Sequence, residues 1–341
     1  MIYRSKAPLR IGLAGGGTDV SPYSDLYGGA ILNITISLFA HANIEPIDTG
    51  EIIIEAYDRN EVQKFSNSNS LPIDGTLDLA KGVYNRIQKD FPFKHNGLKI
   101  STFVDAPAGS GLGTSSTLVV AILGAFVEML KLPLGDYDIA HYAYEIERND
   151  LKLSGGKQDQ YAATFGGLNF MEFYEDNKVI VNPLRVRNQH LHELENNLVL
   201  FYTDTSRESA KIIDEQQKNV QQKNEKSIEA MHNLKEQAVQ MKVALLKGKL
   251  NEIGEILDFG FQQKRQMAKN ISNEMLDNLY KIAIKAGATG GKISGAGGGG
   301  FMIFYCPSNT RYKVIDALKK CNGKVRDYTF TKFGLQTWTV E

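Results

Sequence analysis

The chain has 341 residues, of which 42% are hydrophobic, and its 39 basic and 39 acidic side chains cancel. That length suggests two domains with sizeable cores. The balanced charge argues against a generic nucleic-acid or membrane-surface binder, although it leaves room for a local anion site. The first residues contain no apolar signal core, and the longest strongly apolar run, 118–127, is far short of a membrane span. Two cysteines, Cys306 and Cys321, with no CxxC pair, argue against a disulfide scaffold or a zinc ribbon. The expectation is a cytoplasmic protein of enzyme size.

The first half alternates strand-like and helix-like segments. Residues 30–47 and 50–58 read as strands, 76–91 as an amphipathic helix, and 98–106 as a strand. A buried helix is expected over 114–131 and another helix over 136–151. The character changes near Glu195, which sets expected domains of 1–195 and 196–341. Residues 197–205 read as a strand. Thr205 and Glu208 then offer a capping box for a long charged helical region that runs to about residue 246. Helices over 250–268 and 273–286 come next, and then a glycine-rich turn enters an apolar strand ending near Cys306.

Glycines cluster at 12–17, 109–113, 155–156 with 166–167, and 287–300. Glycine loses the most backbone freedom on folding, so such clusters mark places where main chain must approach a ligand or another segment. The stretch "PAGSGLGTSS" lies between an apolar strand and an apolar helix. Its amides, with the positive end of the following helix dipole, suit a phosphate. A Walker A loop is absent, because no Gly-Lys pair is followed by Ser or Thr. A dinucleotide-binding turn is poorly matched, because the acidic residue it needs would be Glu128, inside the helix. A tight strand-to-helix turn that binds nothing is the remaining alternative.

Three blocks taken in order carry more than any one of them. "APLRIGLAGGGTD", "PAGSGLGTSS" and "KISGAGGGG" resemble the three signatures of the GHMP kinases, the superfamily of galactokinase, homoserine kinase, mevalonate kinase and phosphomevalonate kinase. The resemblance runs from residue 7 to about 301. The AGGGTD form of the first block is most similar to that of the bacterial D-glycero-D-manno-heptose 7-phosphate kinases. A fucokinase-like branch carries a similar block. The resemblance implies an α+β fold of two domains: an N-terminal ribosomal-protein-like α/β domain and a ferredoxin-like C-terminal domain. ATP would lie between them.

The same resemblance implies roles for individual residues. Pro107, Gly109, Ser110, Gly111, Leu112, Gly113, Thr114, Ser115 and Ser116 would form the cradle for the ATP phosphates. Ser116 and Glu147 would hold Mg²⁺; Glu147 is chosen over Glu145 because it lies twelve residues before Asp159. Asp159 is the expected catalytic carboxylate, placed to take a proton from the attacking hydroxyl or to hold it in line. Arg10 would sit beside it as a fixed cation. Gly16, Gly17, Thr18 and Asp19, with Gly297 from the third block, would contact the sugar. Plain galactokinases read GEHTD where this chain reads GGGTD.

The implied cofactors are ATP and Mg²⁺ and the implied partner is a small sugar phosphate, with no nucleic acid and no membrane; a homodimer is left open. A rival from another class, a non-catalytic sugar or nucleotide sensor, would be expected to lack Asp159, Arg10 or Glu147, and all three are present. Lys292, Lys157 and Arg207 are cations that could neutralise a substrate phosphate, judged by charge alone. Several residues stay bland. His190 and His192 read as surface, and Trp338 as core or interface.

Overall fold

The structure is a computed structural model that describes residues 1–205 and 209–341. The first half contributes β1 (Ile2–Ala14), α1 (Tyr23–Tyr27), β2 (Gly29–Pro46), β3 (Glu51–Ala56), β4 (Glu61–Ser66), α2 (Asp78–Asp90) and β5 (Leu98–Val104). It continues with α3 (Thr114–Leu130), α4 (Asp136–Glu145), α5 (Gln158–Phe165), β6 (Leu168–Phe173) and β7 (Val179–Pro183). Then come α6 (Asn188–Asn197), β8 (Leu198–Tyr202), α7 (Ser209–Gln221), α8 (Glu225–Lys247), α9 (Ile253–Lys264) and α10 (Glu274–Ala286). The remaining elements are β9 (Gly290–Ile293), β10 (Phe301–Tyr305), α11 (Arg311–Leu318), β11 (Lys324–Val325) and β12 (Gln336–Val340).

The larger sheet runs β12-β1-β2-β5-β3-β4, with β6 and β7 added beside β2. The long strand β2 serves two neighbours on one side. Its first residues pair with β6 (Gly29↔Phe173) and its last with β5 (Pro46↔Leu98), while β1 runs along the other side. Helix α3 is buried on nearly every face, as its apolar run demands, and packs across β1 and β2.

The smaller sheet has the order β11-β8-β10-β9. Counting from β8, this is fourth-first-third-second, with helices between the first and second strands and between the third and fourth. That is the ferredoxin-like arrangement expected from the resemblance. Its central strands β8 and β10 are apolar throughout because both faces are covered. Leu198, Leu200, Ile303 and Tyr305 belong to the core of the larger sheet, while Val199, Phe201, Met302 and Phe304 belong to a second core with α10 and α11. The α+β fold with two sheets is therefore the one read from sequence.

The structure adds detail to the expectations. From residue 209 the charged helical region is built of two helices, α7 and α8. Lys223 has φ +55°, and the Asn224 side chain then caps α8 by accepting from Ser227 N at 3.1 Å. The Thr205–Glu208 capping box involves Glu208, which lies outside the described residues. The segment expected as one helix over 136–151 ends in a π-helical turn, Ile146–Asp150. Of the two expectations for Trp338, core or interface, the structure excludes the core: it stands 39% exposed on β12, at the sheet edge.

Candidate active site

A cleft of about 290 Å³ opens where the glycine clusters converge, and it is lined by most, not all, of the residues singled out by sequence. Arg10 rises from β1, which is buried from Ala7 onward. Its Nε donates to Asp159 Oδ1 at 2.7 Å, and its Nη2 lies 2.7 Å from the same oxygen. Nη1 donates to Gly111 O at 2.6 Å, and Arg10 N donates to Leu112 O at 3.1 Å. The guanidinium is almost fully buried, while Asp159, in the first turn of α5, keeps a quarter of its side chain open to the cleft. A cation held by three side-chain contacts leaves a carboxylate fixed in position and still reachable.

The loop before α3 owes its path to glycine. Gly111 has φ +86°, and a Cβ there would stand 2.6 Å from Ser294 O. This close approach locks the second glycine block to the third. Ser294 Oγ donates to Gly111 O at 2.8 Å, and Phe301 N to Ser110 O at 2.9 Å. Gly109, Gly111, Gly113, Thr114, Ser115 and Ser116 line the cleft. Leu112 instead turns its side chain into the core, and its carbonyl orients Arg10. Ser110 is buried with its Oγ unpartnered, and Pro107 is exposed at the start of the loop.

Ser116 and Glu147 are joined through one residue that sequence reasoning missed. Gln160 Nε2 donates to Ser116 Oγ at 3.1 Å and to Glu147 Oε2 at 2.5 Å. Glu147 is buried in the π-helical turn, a distortion that re-aims side chains and recurs at functional sites. Glu145, the alternative, bonds Asn149 instead and does not line the cleft.

Gly16, Gly17 and Asp19 line the cleft opposite this loop. Asp19 is buried and accepts from Gln158 N at 3.0 Å, and burial, followed by the nearby Asp159 charge, raises its pKa. Gly156 permits this approach, because a Cβ there would stand 1.9 Å from Asp19 Oδ2. Thr18 does not face the cleft: its Oγ1 sits 2.9 Å from Gly15 O and 3.0 Å from Ala30 O, closing the turn against β2. Gly297 is likewise a correction of place. Its α-carbon faces Ile271, with a Cβ 2.9 Å from Ile271 Cγ2, so Gly295 and Ala296 are the third-block residues in the cleft.

Of the cations picked on charge that are among the described residues, Lys292 reaches the cleft and Lys157 does not. Lys157 is buried against Asp25 at 2.8 Å, and Arg207 lies outside the described residues. Lys264, from the end of α9, joins Lys292 from β9. Burial lowers the Lys264 pKa to about 8, and it lowers that of Lys292 well below the ordinary lysine value, with Lys264 and Arg10 adding repulsion. No short-range pattern links residue 264 to the glycine blocks.

Two family models match: the GHMP kinases N terminal domain over residues 78–167 and the GHMP kinases C terminal domain over 241–324. The chain belongs to the GHMP kinase family. A D-glycero-alpha-D-manno-heptose 7-phosphate kinase of Campylobacter jejuni is 48% identical, over 99% of each chain. A crystal structure described as a D-glycero-D-manno-heptose 1-phosphate kinase from Bacteroides thetaiotaomicron superposes with a TM-score of 0.85 at 46% identity, covering 99% of each chain. The mevalonate kinase of Methanococcus jannaschii, 20% identical, shares the fold with a TM-score of 0.75, covering 97% of this chain and 98% of that one. Among the described residues, no helix is long and apolar enough to cross a membrane.

Proposed function

We propose that this GHMP kinase transfers the γ-phosphoryl group of ATP to the anomeric hydroxyl of D-glycero-D-manno-heptose 7-phosphate, giving the 1,7-bisphosphate for activated-heptose synthesis. The observation that carries the proposal is the Arg10–Asp159 pair, fixed at 2.7 Å in a cleft walled by the glycine loops. The 48% identity to a relative named for that reaction supports the choice of sugar. In this reading residues 1–195 supply the phosphate loop and the catalytic pair, and residues 196–341 close the cleft with the third block. Such an enzyme works in the cytoplasm, where ATP is available.

The donor set fits a metal-bound triphosphate. The backbone amides of 109–116 belong to a turn opened by positive-φ glycines at the N-terminus of α3, where an anion is favoured. The Ser116 hydroxyl and the Glu147 carboxylate, bridged by Gln160, are oxygen ligands suited to Mg²⁺. The metal, when bound, neutralises phosphate charge. Asp159 receives the proton of the attacking hydroxyl or holds that hydroxyl in line, and its oxygen bonded to Arg10 cannot swing away. Arg10 stabilises charge on the transferred group. Asp19 accepts bonds from ring hydroxyls.

The test is ADP release with heptose 7-phosphate, fucose, galactose and mevalonate as acceptors. Heptose 7-phosphate is expected to give the highest kcat/KM. Preference for fucose would assign the chain to the fucokinase-like branch, and no turnover with any acceptor would favour a sensor. Asp159→Asn is expected to abolish nearly all turnover while ATP still binds by calorimetry.

A further inference from the structure

We propose that Lys264 and Lys292 form the anchor for the phosphate that the acceptor sugar already carries, so that the enzyme selects a phosphorylated sugar over the free one. The inference rests on the sugar-kinase reading above. The two lysines are only 3% and 5% exposed, and each ammonium nitrogen has one neutral hydrogen-bond partner: Lys264 donates to Gly295 O at 2.6 Å and Lys292 to Gly12 O at 2.8 Å. Neither has an ion-pair partner among the described residues. A buried cation without a counter-ion is costly, and a dianion bridging the two would relieve both.

The geometry also says where the anion would stand. A Cβ on Gly16 would lie 3.7 Å from Lys264 Nζ and 3.9 Å from Lys292 Nζ. Glycine keeps that point free, and a group placed near it touches both ammonium ions at once. Gly16 belongs to the turn that carries Asp19, and it lines the same cleft. Nearby, Gln216 is 2% exposed and lines the cleft, and its Oε1 has no partner and faces Gly17. It is an acceptor waiting for a hydroxyl of the same ligand. The charged groups around the pair are Arg10, Asp19 and Asp159. Asp159 is already bonded to Arg10, and the Asp19 charge offsets only part of the burial of Lys264, without forming an ion pair with either lysine.

An anchor at this place requires that the resident phosphate and the reacting hydroxyl sit at different ends of the sugar. That suits a 7-phosphate acceptor reacting at position 1.

The experiment uses Lys264→Met, Lys292→Met and the double variant of the full chain. In each, KM for ATP and for heptose 7-phosphate is measured, together with kcat/KM for unphosphorylated heptose. The ratio of kcat/KM for the phosphorylated sugar to that for the free sugar is expected to fall at least about 100-fold in the double variant, with KM for ATP changing less than about 3-fold, since each charge-assisted bond to phosphate is worth about tenfold or more. An unchanged ratio overturns the anchor. So does a loss falling equally on both sugars, or on ATP, because it would assign the lysines to the transferred phosphoryl group.

A second readout does not depend on turnover. Inorganic phosphate should raise the Tm of the wild-type protein, and the double variant should lose that rise while unfolding cooperatively. If heptose 7-phosphate proves not to be the acceptor but phosphate still stabilises only the wild type, the substrate reading fails and the anchor stands. If phosphate stabilises both equally, the anchor fails.

Discussion

Buried lysines fall into two groups in this protein, and the groups behave as opposites. On α2, Lys81 is buried between Asp74 at 2.5 Å and Asp78 at 2.9 Å, and Lys157, outside the cleft lining, is buried against Asp25 at 2.8 Å. In the cleft, Lys264 and Lys292 are just as buried, but their bonds go to carbonyls. Where a lysine serves the fold, the chain supplies its counter-ion. Where it lines the cleft, the counter-ion is left to be brought in. Charge alone does not tell the two groups apart in the sequence, and that is why Lys157 and Lys292 looked equivalent there.

Four measurements bear on this division of labour. The largest effect is expected for Arg10, a cleft cation that does have a carboxylate partner. Arg10→Met should lower kcat by about 10²–10³-fold, in line with removal of one preorganised charge donor, with ATP still binding by calorimetry. A loss of less than about threefold would make Arg10 a mere support for the loop.

Next in size, Lys157→Met should destabilise the protein by about 1–2 kcal/mol, read from denaturant midpoints. The value lies below that for fully buried pairs because Asp25 is a third exposed and water can partly replace its partner. The pair should also weaken in acid. Burial opposes ionisation of Asp25, but its bonds to Lys157 and Ser21 leave the pKa below the ordinary value, so the stabilisation is present above that value and lost as pH falls through the lowered one.

A third effect is one of pH on binding. Lys264 loses its proton near pH 8 in the free protein, not near 10.5. KM for the sugar phosphate should therefore be flat from about pH 7 to 8 and climb about tenfold per unit above it, if one proton must be regained on binding. In Lys264→Met the part of the climb due to Lys264 should be lost, leaving the part due to Lys292, whose pKa burial also lowers.

The smallest effect concerns ligand-free stability. Between pH 8 and 10.5 the unfolded chain holds a proton on Lys264 that the folded chain lacks, so stability rises with pH in that window. Lys264→Met should reduce the slope to the part contributed by Lys292, and leave the neutral-pH Tm equal to or above wild type. A marked fall in Tm would place Lys264 with Lys157, as a structural lysine.

How legible all this was depends on whether the cause was local. The loop at 109–116 was readable because alternate glycines report positive φ before a helix. The α3 helix and strands β8 and β10 were readable because each is an uninterrupted apolar run. Glu147 could be placed by its spacing to Asp159, although its π-helical turn could not be seen. Long-range events left no such mark. Gln160 bridges Ser116 and Glu147 only after α3 and α5 have packed together. Lys264 reaches the cleft only through the packing of α9. Gly297 shares its composition with Gly295, yet one faces Ile271 and the other the cleft. The break at Lys223 was hidden because polar residues flank it on both sides and only Asn224 caps the helix beyond it.

The pairing of β12 with β1, from Ile2↔Val340 to Lys6↔Gln336, also governs how the molecule comes into being. During synthesis β1 emerges first, and its outer edge then waits, with unpaired amides and carbonyls, until β12 leaves the ribosome. Until that moment the nascent larger sheet carries an open edge able to join other chains. A C-terminal extension that delays or displaces β12 would prolong this vulnerable interval, and expression yield would register the delay before any catalytic assay did.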